Sequence, residues 1–211
     1  RRRATARLPS RSTCSRSDVG TSASVNAPHQ AALHSRLEAL RAQADGFIAL
    51  RRDIHQHPEL GYKEFRTSDL VAERLQNWGY QVTRGLGGTG VARQLRRGED
   101  VRRVGLRADM DALPIDEATG LPHASRNAGV MHACGHDGHT ATLLAAAKHI
   151  AEHVPFSGTL NLIFQPAEEG LGGAKKMMDD GLFHRFPCDA VFAIHNMPGF
   201  PQGHLVLRDG P

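Results

Sequence analysis

The order of strands and helices along this chain predicts an α/β fold, an open and mostly parallel sheet flanked by helices. Two observations carry that expectation. Short β-branched or apolar runs alternate with segments of helical periodicity, and the polar clusters fall just after predicted strands or in the loops before helices, where open α/β sheets place ligands. At 211 residues the chain is long enough for one substantial core.

Residues 1–30 are expected to be a disordered Arg/Ser-rich tail, with no apolar period. The segment lacks the apolar stretch of a secretory signal, and a transit-type segment or sequence upstream of the true start are the other readings. From Ala31 to about His55, Leu33, Leu37, Leu40, Phe47, Ile48 and Leu50 recur at helical spacing, interrupted by Gly46. His57-Pro58 ends that helix, because the residue before proline is pushed out of the helical region. A second amphipathic helix runs from about Thr67 to Trp78 and stops at Gly79. Strands come next, at Tyr80–Thr83, Gly90–Leu95 and Val101–Leu106. A buried helix is expected from Asp137 to about His153, then a strand (Thr159–Phe164), a helix (Gly172–Asp180) and a strand (Ala190–His195).

Composition excludes several classes. Only 5% of residues are aromatic, too few for a stacking nucleic-acid surface. The formal charge of +4 is local, since six arginines lie in residues 1–16 and the remainder is close to neutral. No run of 18 apolar residues suggests a membrane span. Neither nucleic acid nor membrane is expected as a partner. Cys14, Cys134 and Cys188 are too few and too widely spaced for a disulfide framework, which favours a reducing, cytoplasmic setting. Gly85-Leu-Gly-Gly-Thr-Gly90 matches a dinucleotide fingerprint, but the fingerprint needs a helix N-terminus for its phosphate. Residues 91–98 are too short for that helix and read as a strand into a turn.

Three clusters carry chemistry. In Met131-His-Ala-Cys-Gly-His-Asp-Gly-His139, Cys134 and His136 flank one glycine and can converge on one ion; sulfur with imidazole suits zinc and its transition-metal neighbours. A lone cysteine is usually packing, but five titratable side chains in eight residues are hard to explain that way. In Phe164-Gln-Pro-Ala-Glu-Glu-Gly170 the paired carboxylates come after an apolar strand, with Pro166 constraining the turn. One can ligate metal while the other accepts a proton from water. Alone, such a pair is a solvated face. The third is His195-Asn-Met-Pro198, where a lone histidine would be a core residue. Together Cys134, His136, Glu169 and His195 make four ligands and leave Glu168 as the base. Four ligands can close a structural site, whereas an unligated Glu168 beside them suits an open, catalytic one.

These segments, with Arg52-Asp-Ile-His-Gln-His-Pro-Glu-Leu60 and Leu106-Arg-Ala-Asp-Met-Asp-Ala-Leu-Pro114, resemble the hippurate hydrolases, N-acyl-amino-acid deacylases and plant auxin-conjugate hydrolases. These are amidohydrolases within the aminoacylase–glutamate carboxypeptidase superfamily of two-metal peptidases. The resemblance covers roughly residues 31–211, and it implies hydrolysis of the amide bond of an N-acyl amino acid. The implied cofactor is a pair of divalent ions, zinc or manganese, with cobalt or nickel as alternatives. Cys134 would lie between the ions, with His136, His195 and Glu169 as further ligands. Glu168 would take the proton from the attacking water and return it to the leaving amine. Asp109 and Asp111 would orient the site; His139 would support the loop or cap the next helix; His55 and His57 receive no metal role. The resemblance also implies that residues 31–211 are the N-terminal part of a catalytic domain. On that expectation a lid and dimerisation domain and a further histidine ligand are absent, activity is impaired and apolar surface is exposed. A dipeptidase or carboxypeptidase of the same superfamily, or a non-catalytic metal-binding piece, are the alternatives.

Overall fold

The computed structural model describes residues 27–206. The expected tail falls mostly before Ala27, outside the described residues. Helix α1 spans Ala27–Gln56, starting four residues earlier than expected and running straight through Gly46. Nothing lies within 4 Å of where a Gly46 side chain would begin, so this glycine is a tolerated weak point and not a break. The last two turns bury Leu50 and Ile54, while Leu33 and Leu37 stay exposed.

Helix α2 (Phe65–Asn77) buries Val71, Ala72 and Leu75. Its start is secured from outside the helix: Glu59 Oε1 accepts from Arg66 N–H at 2.9 Å and Oε2 from Thr67 N–H at 2.8 Å, satisfying two free donors of the first turn. Strand β1 is Thr83–Leu86, not Tyr80–Thr83. Tyr80 is unavailable to a ladder because its N–H closes onto Leu75 O at the end of α2, at 3.0 Å, while its hydroxyl donates to Ala147 O. Strand β2 (Gly90–Arg97) pairs antiparallel with β1, so residues 87–89 turn a hairpin and residues 91–97 form a strand, as expected, and not the helix of a dinucleotide fingerprint. Strand β3 (Arg103–Asp109) begins two residues late, since Asp100 ties Arg102 into a turn (Arg102 N–H to Asp100 Oδ1, 2.9 Å).

Helix α3 (His136–His153), strand β4 (Gly158–Gln165), helix α4 (Gly173–Asp179) and strand β5 (Ala190–Ala193) lie close to expectation. A four-residue helix, α5 (Leu182–Arg185), was not expected and is too short to leave a periodic signal. The sheet order is β1-β2-β4-β3-β5. It is more mixed than the mostly parallel expectation: β1–β2 and β2–β4 run antiparallel, β4–β3 and β3–β5 parallel.

Alternation along the strands builds two layers. Leu160, Leu162 and Phe164 of β4 join Val91, Ala108, Leu143, Leu144 and Ala147 in the larger core, beneath α1, α2 and α3. Ile163 points the other way, to Leu86, Ala92, Met177, Leu182 and Phe186 under α4 and α5. Each such fully buried large side chain contributes ~1.5–3 kcal/mol relative to exposure. The consequence for function is one of direction. The parallel strands β3, β4 and β5 deliver their carboxyl ends to the same edge, in a register that pairs Asp109 with Gln165 and Arg107 with Ala193. No helix among the described residues is long and apolar enough to cross a membrane.

Candidate metal centre

The candidate ligands, the candidate base and the two orienting aspartates arrive at that edge. Asp109 ends β3 and Asp111 lies just beyond it; Glu168 and Glu169 come after β4; His195 comes after β5; Cys134 and His136 arrive at the start of α3. Three groupings of donor atoms lie within 4.8 Å of one another: Cys134, His136 and His195; His136, Glu168 and Glu169; and Asp109, His136 and His139. His136 is common to all three.

The His136 ring is wholly buried, yet neither nitrogen has a hydrogen-bond partner among the described residues. Its Nε2 faces Glu169 Oε1 at 3.7 Å, Asp109 Oδ2 at 3.7 Å and Glu168 Oε2 at 3.8 Å. Its Nδ1 stands 3.3 Å from Asp111 Oδ1. Those Nε2 separations are too long for hydrogen bonds. They are about what two donors keep when each sits roughly 2.0–2.3 Å from a shared ion. Glu169 Oε1 and Asp111 Oδ1 are likewise buried and unpartnered. Such orphaned polar atoms, gathered in one place, fit a divalent cation.

The grouping of Cys134, His136 and His195 is oriented in the same sense. His195 Nδ1–H donates to Asn196 O at 2.6 Å, leaving Nε2 with its lone pair toward Cys134 Sγ, 3.3 Å away. Cys134 also lies against the Glu169 carboxylate. Burial first, then Glu169 and the neighbouring Asp109 and Glu168, push its thiol up to about 11. A cation placed among these carboxylates reverses that bias and favours the thiolate.

Asp109 and Asp111 hold the frame. Burial alone would raise Asp109, but the hydrogen bond from His139 and the charges of His136 and Arg107 hold it at about 2. His139 Nδ1–H donates to Asp109 Oδ1 at 2.7 Å, and Arg107 donates to Oδ2 at 2.6 Å. Asp111 Oδ2 accepts from Glu169 N–H at 3.0 Å. Burial raises Asp111 too, and His136 with the Glu169 and Glu168 N–H groups brings it below its ordinary value. His136 is itself shifted up: burial opposes its charged form, but Asp111 and Asp109 outweigh that.

His57 stays outside the centre, its Nδ1 near Asp53 O at 2.8 Å. His55 pairs instead with Asp137 Oδ2 at 2.9 Å, bracing the first turn of α3 behind the site. Sequence reading missed Arg107 and Asn196. Arg107 lies two residues before Asp109 on β3, a same-face position that period two would have revealed. Asn196 N–H donates to His139 Nε2 at 3.1 Å, a tie between distant loops with no sequence signal.

Among known families, the sequence profile described as peptidase family M20/M25/M40 matches residues 105–210. A hippurate hydrolase of Campylobacter jejuni is 56% identical over 164 residues, covering 78% of this chain and 43% of the relative. Thermostable carboxypeptidase 1 of Saccharolobus solfataricus is 47% identical over 176 residues, covering 82% and 44%. Among solved structures, a Bacillus subtilis protein described as a dinuclear metal binding peptidase from the M20 family is 38% identical. It superposes with a TM-score of 0.75, over 81% of this chain and 48% of that one. The chain spans about half the length of each of these relatives.

Proposed function

Because this chain belongs to peptidase family M20/M25/M40, we propose that it carries the metal-binding core of a hydrolase that cleaves the amide bond of N-acyl amino acids, hippurate-like substrates among them. The observation that carries the reading is the buried, unpartnered His136 ring, ringed by four carboxylates and adjoining Cys134 and His195. Cys134, His136, Glu169 and His195 would hold two divalent ions, zinc or manganese, with cobalt or nickel as alternatives. Bound there, the ions supply Lewis-acid polarisation of the substrate carbonyl and lower the pKa of water.

The remaining work falls to the chain. Glu168 is the base: its side chain is 40% exposed while Glu169 is 25% exposed, so it is the carboxylate that incoming water and substrate meet. It takes the proton from the attacking water and returns it to the leaving amine at the same oxygen. Asp109, through His139, and Asp111, through the Glu169 backbone, keep the ligands from turning away.

The 56% identity to a hippurate hydrolase supports an N-acyl amino acid substrate. The 47% identity to a carboxypeptidase supports a second reading, cleavage of a C-terminal residue from peptides at the same site. Elemental analysis after dialysis, paired with turnover on N-acyl amino acids and short peptides, tests both. Glu168→Gln should keep its metal and lose about 10²–10⁴ in rate; full activity in that variant removes Glu168 from the role. Cys134→Ala should lose metal, and unchanged metal content would remove Cys134 from the ligand set. Faster cleavage of peptides than of N-acyl amino acids selects the carboxypeptidase reading.

A further inference from the structure

Among the described residues only two that are not glycine adopt a left-handed backbone, Tyr62 (φ 62°) and Ala167 (φ 49°). Both belong to one seam. A residue bearing a Cβ is strained in that region and persists there only when its surroundings hold it. What holds Ala167 is visible. Its N–H donates to Glu64 Oε1 at 2.8 Å, and its carbonyl accepts from Gly173 N–H at 2.9 Å. The Glu64 carboxylate is fully buried, and Thr89 Oγ1 donates to its other oxygen at 2.5 Å. Four residues further along the same loop, Leu171 O accepts from the Tyr62 hydroxyl at 2.9 Å. Gly61 completes the contact: a Cβ there would meet Leu171 Cδ1 at 2.6 Å and Ala167 Cα at 3.1 Å, so a larger residue would have to push the two segments slightly apart.

The segment Gly61–Glu64 therefore grips the loop Ala167–Leu171 at both ends, and Glu168 and Glu169 lie between the grips. The turn at Ala167 sends Glu169 N–H to Asp111 Oδ2 and its carboxylate toward His136.

We infer that Glu64 and Tyr62 are positioning residues, a clasp that sets the Ala167–Leu171 loop so that Glu168 and Glu169 face the metal site before any ion or substrate arrives. The link to metal rests on the function proposed above; the ordering of the loop does not.

Cobalt(II) titration of the dialysed chain, with amide hydrogen exchange over residues 166–171 and thermal melts, tests the clasp. Glu64→Ala should weaken cobalt binding about 10–100-fold, the range for groups that support metal ligands, and should release the Ala167 amide to exchange. The thiolate-to-cobalt absorption of Cys134 should persist, since Cys134 is not on the loop. Glu64→Gln should recover most of the affinity, because its side-chain carbonyl still accepts from Ala167 N–H. Ala167→Gly should shrink the loss caused by Glu64→Ala, as glycine takes this φ without the penalty. Tyr62→Phe leaves the buried carboxylate in place and serves if Glu64→Ala does not fold; it should speed exchange in the loop and weaken cobalt about fivefold, the worth of one hydrogen bond.

Cobalt affinity and loop exchange both unchanged in Tyr62→Phe and in a folded Glu64→Ala would overturn the inference. A lowered melting temperature with unchanged affinity would also overturn it, leaving Glu64 as a stabiliser of the fold only. Absence of cobalt binding by the unmodified chain strikes the proposed function instead, and the exchange arm still decides whether the clasp orders the loop.

Discussion

At the residue scale, Gly135 shows how much the short spacing between Cys134 and His136 requires. It caps α3 in the left-handed region at φ 93°. A Cβ there would also meet Asn196 Oδ1 at 2.4 Å, from the loop that carries His195. A glycine takes this backbone turn from Cys134 into the helix without strain and leaves room for the Asn196 side chain beside it. Gly135→Ala should therefore cost about 1–2 kcal/mol from the backbone alone. It should also displace Asn196 and His195, so that metal affinity falls along with stability. Urea denaturation paired with a metal titration reads both; a variant with unchanged affinity would show that the His195 loop does not depend on this contact.

At the element scale the informative strand is β5. It is four residues long, exposed throughout, and placed at the sheet edge by its pairing with β3 alone. Its entry is pinned by Asp189. That carboxylate accepts from Arg103 N–H at 2.8 Å and from the Arg103 guanidinium at 2.6 Å, while Asp189 N–H donates to Arg103 O at 2.8 Å. The Arg103 guanidinium, then its backbone N–H, hold Asp189 below its ordinary value of 3.8. A depressed carboxylate pKa contributes stability that is full above the unfolded value and is lost as pH falls through the folded one. The β5 amides should thus keep their protection factors down to about pH 4 and lose protection, relative to the intrinsic exchange rate, below it. Asp189→Asn should flatten that dependence, as measured by amide exchange against pH. Because β5 ends just before His195, its fraying should loosen the metal site too.

At the scale of the whole molecule, the β5 edge stands out. Val191 and Phe192 of β5, with Ile194, Met197, Phe200 and Leu205 beyond it, are all exposed, from 44% for Val191 to 75% for Leu205. An open strand edge flanked on both faces by exposed apolar side chains is a template for association. Sedimentation should show concentration-dependent self-association of this 211-residue chain, and Phe192→Lys should reduce it. A monomer at every concentration would overturn this expectation.

The α/β class, the order of most elements and the segments that carry the candidate donors were legible in the sequence, because each rests on local signals. Alternation in Leu160, Leu162 and Phe164, helical spacing through α2 and α3, and donors crowded within eight residues need no knowledge of distant chain. What the tertiary structure alone decided is direction and contact. The start of β1 at Thr83 depends on Tyr80 being claimed by α2, and the strapping of Ala167 by Glu64 joins residues 103 positions apart. His136 became the meeting point of all three donor groups only because β3, β4 and β5 end at one edge. Residue types and their periods are written along the chain, whereas which unpartnered atom faces which gap depends on a register set by packing across the whole core.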